Sequence, residues 1–240
     1  MTKTYFVTGT DTEVGKTVAS CALLQAANQS GFITAGYKPV ASGSEQTQDG
    51  LRNQDALLLQ KNSTLSLRYD EVNPIVFAEP TSPHIISEKM QQPIEFSVMN
   101  EGLNHLTSKA QWVLVEGAGG WYTPLSRQIS YADWVIQQQL PVIMVVGVKL
   151  GCINHALLTA EAIKGSGLQL VGWIANEIEP AGCYQTEYLA TLYQLISAPC
   201  LGVIPHHHVE LNTDLGQFIN LSLLEKSAST LIINDHADHF

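Results

Sequence analysis

Apolar positions in this chain fall into two alternating patterns. The first is a set of short, nearly continuous apolar runs: "TYFVTG", "ITAGYKPVASG", "WVLVEGAGG", "PVIMVVGV", "LQLVGWIANEI" and "PCLGVIP". Their length and β-branched content predict buried strands. The second spaces apolar residues at helical intervals, in "VASCALLQAANQSG", "NQDALLLQKN", "ALLTAEAIKGSG" and "YQTEYLATLYQLI". Gly31 supplies the stop of the first of these helices. The proline-punctuated "VNPIVFAEPTSPHII" reads as irregular. Strands that are apolar throughout, alternating with helices, predict a mostly parallel α/β sheet covered by helices on both faces. With no repeat or linker-like stretch, residues 1–225 read as one domain and 226–240 as a poorly ordered tail.

In such sheets ligands bind beyond the carboxyl ends of the strands. Polar residues and glycines cluster at those places: 8–17, 38–42, 116–120, 149–154, Asn176 and the stretch after Pro205.

The most specific of these is "YFVTGTDTEVGKTVAS", residues 5–20. Gly15, Lys16 and Thr17 end a phosphate-binding loop, G-x-x-x-x-G-K-[ST], between a buried strand and a helix. Thr10 stands where the first glycine belongs, and Gly9 lies one residue upstream. A helix dipole alone contributes only about 0.3–1 kcal/mol at an exposed end. Lys16 adds a full charge, and Thr17 offers a hydroxyl to Mg²⁺. The fold class is therefore P-loop NTPase-like. Thr10, Asp11, Thr12 and Glu13 fill the turn with side chains, which points to an acceptor beside ATP.

Glu116 ends an apolar strand, where folds of this class hold Mg²⁺, and glycines follow it. Its plainer reading is a solvated strand end. Lys38 and Ser42 leave a strand at the same edge. On residues alone, Lys38 suits a phosphoryl or anionic acceptor and a solvated lysine equally well. Asp55 reads as a helix-start carboxylate. Asn154 reads as an N-cap behind Gly151, and free N–H groups there can bind a carboxylate. The adjacent histidines after Pro205 diverge and have no ligand-spaced partners, so they read as an exposed loop.

Composition narrows the classes. A chain of 240 residues, 45% hydrophobic, suits one large α/β domain. A net charge of −10 argues against nucleic acid as partner. Four widely spaced cysteines without a C-x-x-C read as reduced thiols. No apolar run reaches the ~18 residues of a membrane span, and no signal peptide is evident. The expectation is a cytoplasmic protein with no membrane partner.

"YFVTGTDTEVGKTVAS", "AGYKPVASGS", "FAEPTSPHIIS", "WVLVEGAGGWYTPL", "PVIMVVGVKLGCINHALLT" and "GWIANEI" resemble, in order, the dethiobiotin synthetase family over about residues 4–205. The resemblance implies an ATP- and Mg²⁺-dependent cyclo-ligase that joins 7,8-diaminopelargonic acid and CO₂. A carbamate and a carbamic-phosphoric anhydride lead to dethiobiotin, ADP and phosphate. It further implies that Glu13, Val14, Gly15, Lys16, Thr17 and Val18 line the ATP phosphates, with Glu116, Gly117, Ala118, Gly119, Asn176 and Glu177 as further nucleotide contacts. Pro205, His206 and His207 are grouped with the nucleotide contacts. Thr17, Asp55 and Glu116 would be the Mg²⁺ ligands. Lys38, Lys16 and Thr12 would be catalytic, and Thr12 and Ser42 would touch the substrate. Gly151, Cys152, Asn154 and Tyr188 would hold the substrate carboxylate from a second subunit, making the family a homodimer. The resemblance weakens after Pro205, where Asn212 stands in place of an acid. Two alternatives of the same fold are a partition- or septum-type ATPase switch and an ATP-dependent amide ligase. Asp11 occupies the position of the switch's loop lysine, and Lys38 and Ser42 suit a small carbamate site.

Overall fold

A computed structural model describes residues 2–180, 182–206 and 214–224. Its elements, in chain order, are β1 (Lys3–Gly9), α1 (Lys16–Gln29), β2 (Thr34–Tyr37), β3 (Val40–Ala41), β4 (Glu45–Thr47), β5 (Gly50–Arg52), α2 (Gln54–Asn62), α3 (Tyr69–Val72), β6 (Ile75–Val76), α4 (Pro83–Met90), α5 (Phe96–Thr107), β7 (Trp112–Gly120), α6 (Tyr131–Gln137), β8 (Val142–Gly147), α7 (Cys152–Gly165), β9 (Leu170–Asn176), α8 (Gln185–Leu195) and β10 (Cys200–Ile204). Six of the strands form one parallel sheet in the order β10-β9-β8-β1-β7-β2. The central strands β1, β7 and β8 are buried because both faces are covered, which is why their sequences do not alternate.

From β1 the chain crosses toward β2, and from β8 it crosses the other way, toward β9. Right-handed crossovers in opposite directions put α1 and α7 on opposite faces. β1 and β8 are neighbours, so their diverging connections open a crevice at the carboxyl edge, the usual ligand position of such sheets. Register then decides which residues meet there. Val7 pairs with Glu116, and Tyr37 pairs with Val115. Lys38 therefore leaves β2 level with Glu116, two residues before β1 ends at Gly9. Beneath the sheet edge, the rings of Phe6, Trp121, Tyr131 and Trp134 pack in a tilted and edge-on series.

Several elements depart from the sequence reading. The stretch expected to be irregular contains β6, and its "PHII" opens α4 with Pro83 at the first helical position, where a missing N–H is harmless. Helices α5 and α6 and the hairpin β4–β5 were not anticipated. Helix α7 begins before Asn154: Gly151 is its N-cap at φ 92°, and Asn154 lies inside the first turn. The positive φ favours glycine, so the chain starts the helix three residues earlier than a cap at Asn154 would. The tail 226–240 lies outside the described residues.

Candidate active site

The loop after β1 is held on three sides. Thr10 N–H donates to Val145 O at 3.0 Å, anchoring the loop to β8. Asp11 Oδ1 accepts from Thr12 N–H at 2.7 Å. Asn176, buried at the end of β9, donates from Nδ2 to Val14 O at 3.0 Å. Gly15 follows at φ 82°, and a Cβ there would collide with the Asn176 amide, so glycine is required for both conformation and space. Helix α1 then starts with no side-chain cap. Its first-turn N–H groups are the kind of donors that bind phosphate.

Four side chains converge beside this loop. Lys38 Nζ lies 2.7 Å from Glu116 Oε1 and 3.1 Å from Asp55 Oδ2. Thr17 Oγ1 donates to the same Glu116 Oε1 at 3.0 Å. Glu116 is fully buried and Lys38 nearly so, whereas Asp55 is half-exposed on the first turn of α2. Lys16 Nζ reaches Asp11 O at 3.4 Å. Burial pushes the Lys16 ammonium below its ordinary range; Glu116 opposes this and the Lys38 charge adds to it. Burial also works to lower Lys38, but the two carboxylates and their hydrogen bonds outweigh it and raise the group. Asp55 is held low because Lys38 overcomes the effect of burial. A cation between two carboxylates is thus locked in its charged form.

These residues open onto a cavity of about 420 Å³ lined by Thr12, Glu13, Gly15, Lys16, Thr17, Val18, Lys38, Ser42, Asp55, Ala118 and Gly119. Ala41 and Leu58 also line it. Neither carries a chemical signal, but Ala41 precedes Ser42 and Leu58 lies three residues beyond Asp55 on the same helix face. Among the expected contacts, Val14 and Glu116 are buried and do not line the cavity. Gly117 lies on β7 behind Ala118. Glu177 forms a separate pair with His206: its Oε2 accepts the His206 N–H at 3.3 Å, and Glu177 N–H donates to Ile204 O. Pro205 links that pair to β10. His207 and Asn212 lie outside the described residues. Gly151, Cys152, Asn154 and Tyr188 stand apart from the cavity, with Cys152 buried and Gly151 and Asn154 exposed.

The donor set fits a divalent cation bound together with a triphosphate. Thr17 contributes a hydroxyl, Asp55 a carboxylate, and Glu116 Oε2 is buried with no hydrogen-bond partner. Two carboxylates and one hydroxyl suit Mg²⁺, which takes one or two carboxylates plus phosphate and water rather than an all-protein cage.

The chain matches the family model described as an AAA domain over residues 3–211. The ATP-dependent dethiobiotin synthetase BioD of Pseudescherichia vulneris is 63% identical over 231 residues, 96% of each chain. The ATP-dependent dethiobiotin synthetase BioD 1 of Escherichia coli (strain K12) is 64% identical, covering 93% of this chain and all of that protein. Among solved structures, the septum site-determining protein MinD with Mg-ADP from Pyrococcus horikoshii OT3 superposes with a TM-score of 0.58 at 15% identity, covering 97% of this chain and 98% of that one. A ParA family ATPase from Chlorobium tepidum TLS gives 0.56 at 14% over the whole of both chains. The last two share the fold and no more; identity above 60% along nearly the full length of both chains is a different matter, and by it this chain belongs to the ATP-dependent dethiobiotin synthetase family.

Proposed function

We propose that this chain carboxylates and cyclises 7,8-diaminopelargonic acid with CO₂ and ATP, giving dethiobiotin, ADP and phosphate. The observation that carries this reading is the Lys38 ammonium, buried between Asp55 and Glu116 at the wall of the phosphate-loop cavity. The acceptor is a carbamate formed when one amine adds to CO₂. Carbamate and triphosphate are both anions, and at an effective dielectric near 20 two unit charges 4 Å apart repel by about 4 kcal/mol. Lys16 and Lys38 remove that barrier from two sides. The carbamate oxygen takes the γ-phosphoryl group, and ADP leaves. The second amine then attacks the carbonyl of the anhydride, expels phosphate and closes the urea ring. Lys38, Lys16 and Thr12 act on the transferring group, with Thr12 and Ser42 on the diamine. Thr17, Asp55 and Glu116 would hold Mg²⁺, which when bound neutralises phosphate charge.

The far end of the substrate is a carboxylate. We assign it to the start of α7 on a second copy of the chain, around Gly151, Cys152 and Asn154, with Tyr188. Exposed apolar residues beside that helix support a homodimer: Leu150 is 85% exposed, Leu158 63% and Tyr184 67%. No helix among the described residues is long and apolar enough to cross a membrane. We place the enzyme in the cytoplasm, as a single domain over residues 1–225. The test is ADP release from ATP and Mg²⁺ with and without diamine and bicarbonate. Release is expected only when both are present; equal release without the diamine favours the ATPase-switch reading.

A further inference from the structure

Two buried asparagines and a half-buried tyrosine, none of them lining the cavity, connect the backbones of the residues that do. Tyr69, the first residue of α3, accepts the Asn53 N–H on its hydroxyl oxygen at 2.7 Å. It spends its one proton on Asn73 Oδ1 at 2.8 Å. Asn73 is 2% exposed, and its Nδ2 donates to Lys38 O at 2.7 Å and to Ile75 O at 3.1 Å. Both amide hydrogens and the oxygen are used, which fixes the orientation of the group. Asn53 caps α2, accepting the Ala56 N–H at 3.2 Å, and its Nδ2 donates to Ser42 O at 3.3 Å. The Lys38 N–H donates to Val72 O at 2.8 Å, so the Lys38 peptide is gripped on both sides by residues 72 and 73.

The bonds close a ring. It runs from the Lys38 backbone through Asn73, Tyr69 and Asn53 to the first turn of α2, then to Asp55, and back through the Asp55–Lys38 ion pair. An apolar contact would hold α3 against the protein as well, but it would not fix distances. A ring of satisfied, directional bonds does, and it spans the three wall residues Lys38, Ser42 and Asp55. The Arg52 guanidinium stacks 4.3 Å over the Tyr69 ring and locks its plane. From the far side, Glu71 ties α3 to α5 through His105 Nε2 at 2.6 Å and to the turn after α5 through Lys109 Nζ at 3.3 Å.

We infer that Tyr69 is a positioning residue of the phosphoryl-transfer site, its hydroxyl setting the spacing of Lys38, Ser42 and Asp55 through Asn73 and Asn53. The inference rests on the synthetase reading. Tyr69 touches no reacting group. Its effect falls on how accurately Lys38 meets the transferring group, and a misplacement of ~1 Å can cost about 10²-fold in rate. The Lys16 loop is built from other elements and is untouched.

The test is Tyr69→Phe, which keeps the ring and its stacking and removes only the hydroxyl. The expected result is kcat lowered about tenfold or more, with the Kd of ADP measured without Mg²⁺ within about twofold of wild type, since Asp55 is a proposed Mg²⁺ ligand and couples any Mg-nucleotide readout to the ring. Equal loss of kcat and nucleotide affinity overturns the inference, since the hydroxyl would then hold the whole site together. A folded Tyr69→Phe with wild-type kcat overturns it as well. Should thermal melting show that this variant does not fold, Asn53→Ser retains the helix cap and deletes only the bond to Ser42 O. The same split between kcat and nucleotide binding is expected there, and its absence is equally fatal. Wild-type enzyme in the same assay separates the two claims. Diamine-independent ADP release by wild type defeats the synthetase reading, and intact coupling with an unaffected variant defeats the positioning role alone.

Discussion

Two lysines stand at this site, and their environments predict different losses. Lys16 Nζ belongs to the loop, with its nearest oxygen on the Asp11 backbone. Lys16→Gln removes a charge from the phosphate cradle, and ATP binding and turnover are expected to weaken together, roughly tenfold or more. Lys38 is held by two carboxylates outside the loop. Lys38→Leu removes an interaction strongest in the transition state, so kcat is expected to fall about 10²–10³-fold at saturating substrate with little change in ATP affinity. A normal kcat in that variant would show the assignment to be wrong. The same substitution strands the buried Glu116 carboxylate opposite Asp55. Thermal melts are therefore expected to show a lower Tm, with added Mg²⁺ raising it more in Lys38→Leu than in wild type.

At the scale of elements, short α3 is anchored by Glu71 as well as by the fully buried Val72. The Arg68 N–H donates to Glu71 Oε2 at 2.7 Å, His105 reaches across from α5, and Lys109 from the turn that follows it. The backbone bond first, and His105 next, pull the Glu71 carboxyl from its ordinary 4.5 down to about 2. The folded state thus favours the ionised form. This contribution is complete above about pH 4.5 and is lost as pH falls toward 2. Glu71→Gln is expected to lower Tm at pH 7 and to flatten the decline of Tm between those limits. Parallel acid profiles for variant and wild type would show that Glu71 does not anchor α3.

The whole molecule sets a prediction across two chains. If one chain holds ATP and the amine end while the other holds the carboxylate, a defect at either place kills a site without touching the other half. Gly151 has φ 92°, where a bulky residue is strained, so the carboxylate end is better blocked at Asn154, exposed in the first turn of α7. Lys38→Leu and Asn154→Trp homodimers are each expected to be nearly inactive. After subunit exchange in an equal mixture, half the dimers carry one intact site of two, so activity should return to roughly a quarter of wild type. Confirmed exchange without recovery would place the carboxylate within a single chain.

The order of the six sheet strands and of helices α1, α2, α7 and α8, and the phosphate loop, were legible in the sequence because each has a local signature. An apolar run is a strand wherever it lies, and Gly15, Lys16 and Thr17 carry their chemistry in adjacent positions. The short pieces were not legible: β6, α3 and the hairpin β4–β5 are held by bonds to distant segments rather than by periodicity. Asn154 shows the same limit, since the conformation of Gly151 moved the helix start. On residues alone Lys38 could equally be a solvated strand end and Asp55 a plain helix-start carboxylate; family resemblance decided for them, but no local pattern did. Parallel register does so physically. Pairing Tyr37 with Val115 and Val7 with Glu116 sets Lys38 level with Glu116, and α1 and α2, packed on that sheet, bring Thr17 and Asp55 to the same point. Sequence alone determined which groups this protein has for its chemistry. Only the tertiary structure decided that they meet, because side chains far apart along a chain acquire a common distance only when the strands that carry them are hydrogen-bonded in register.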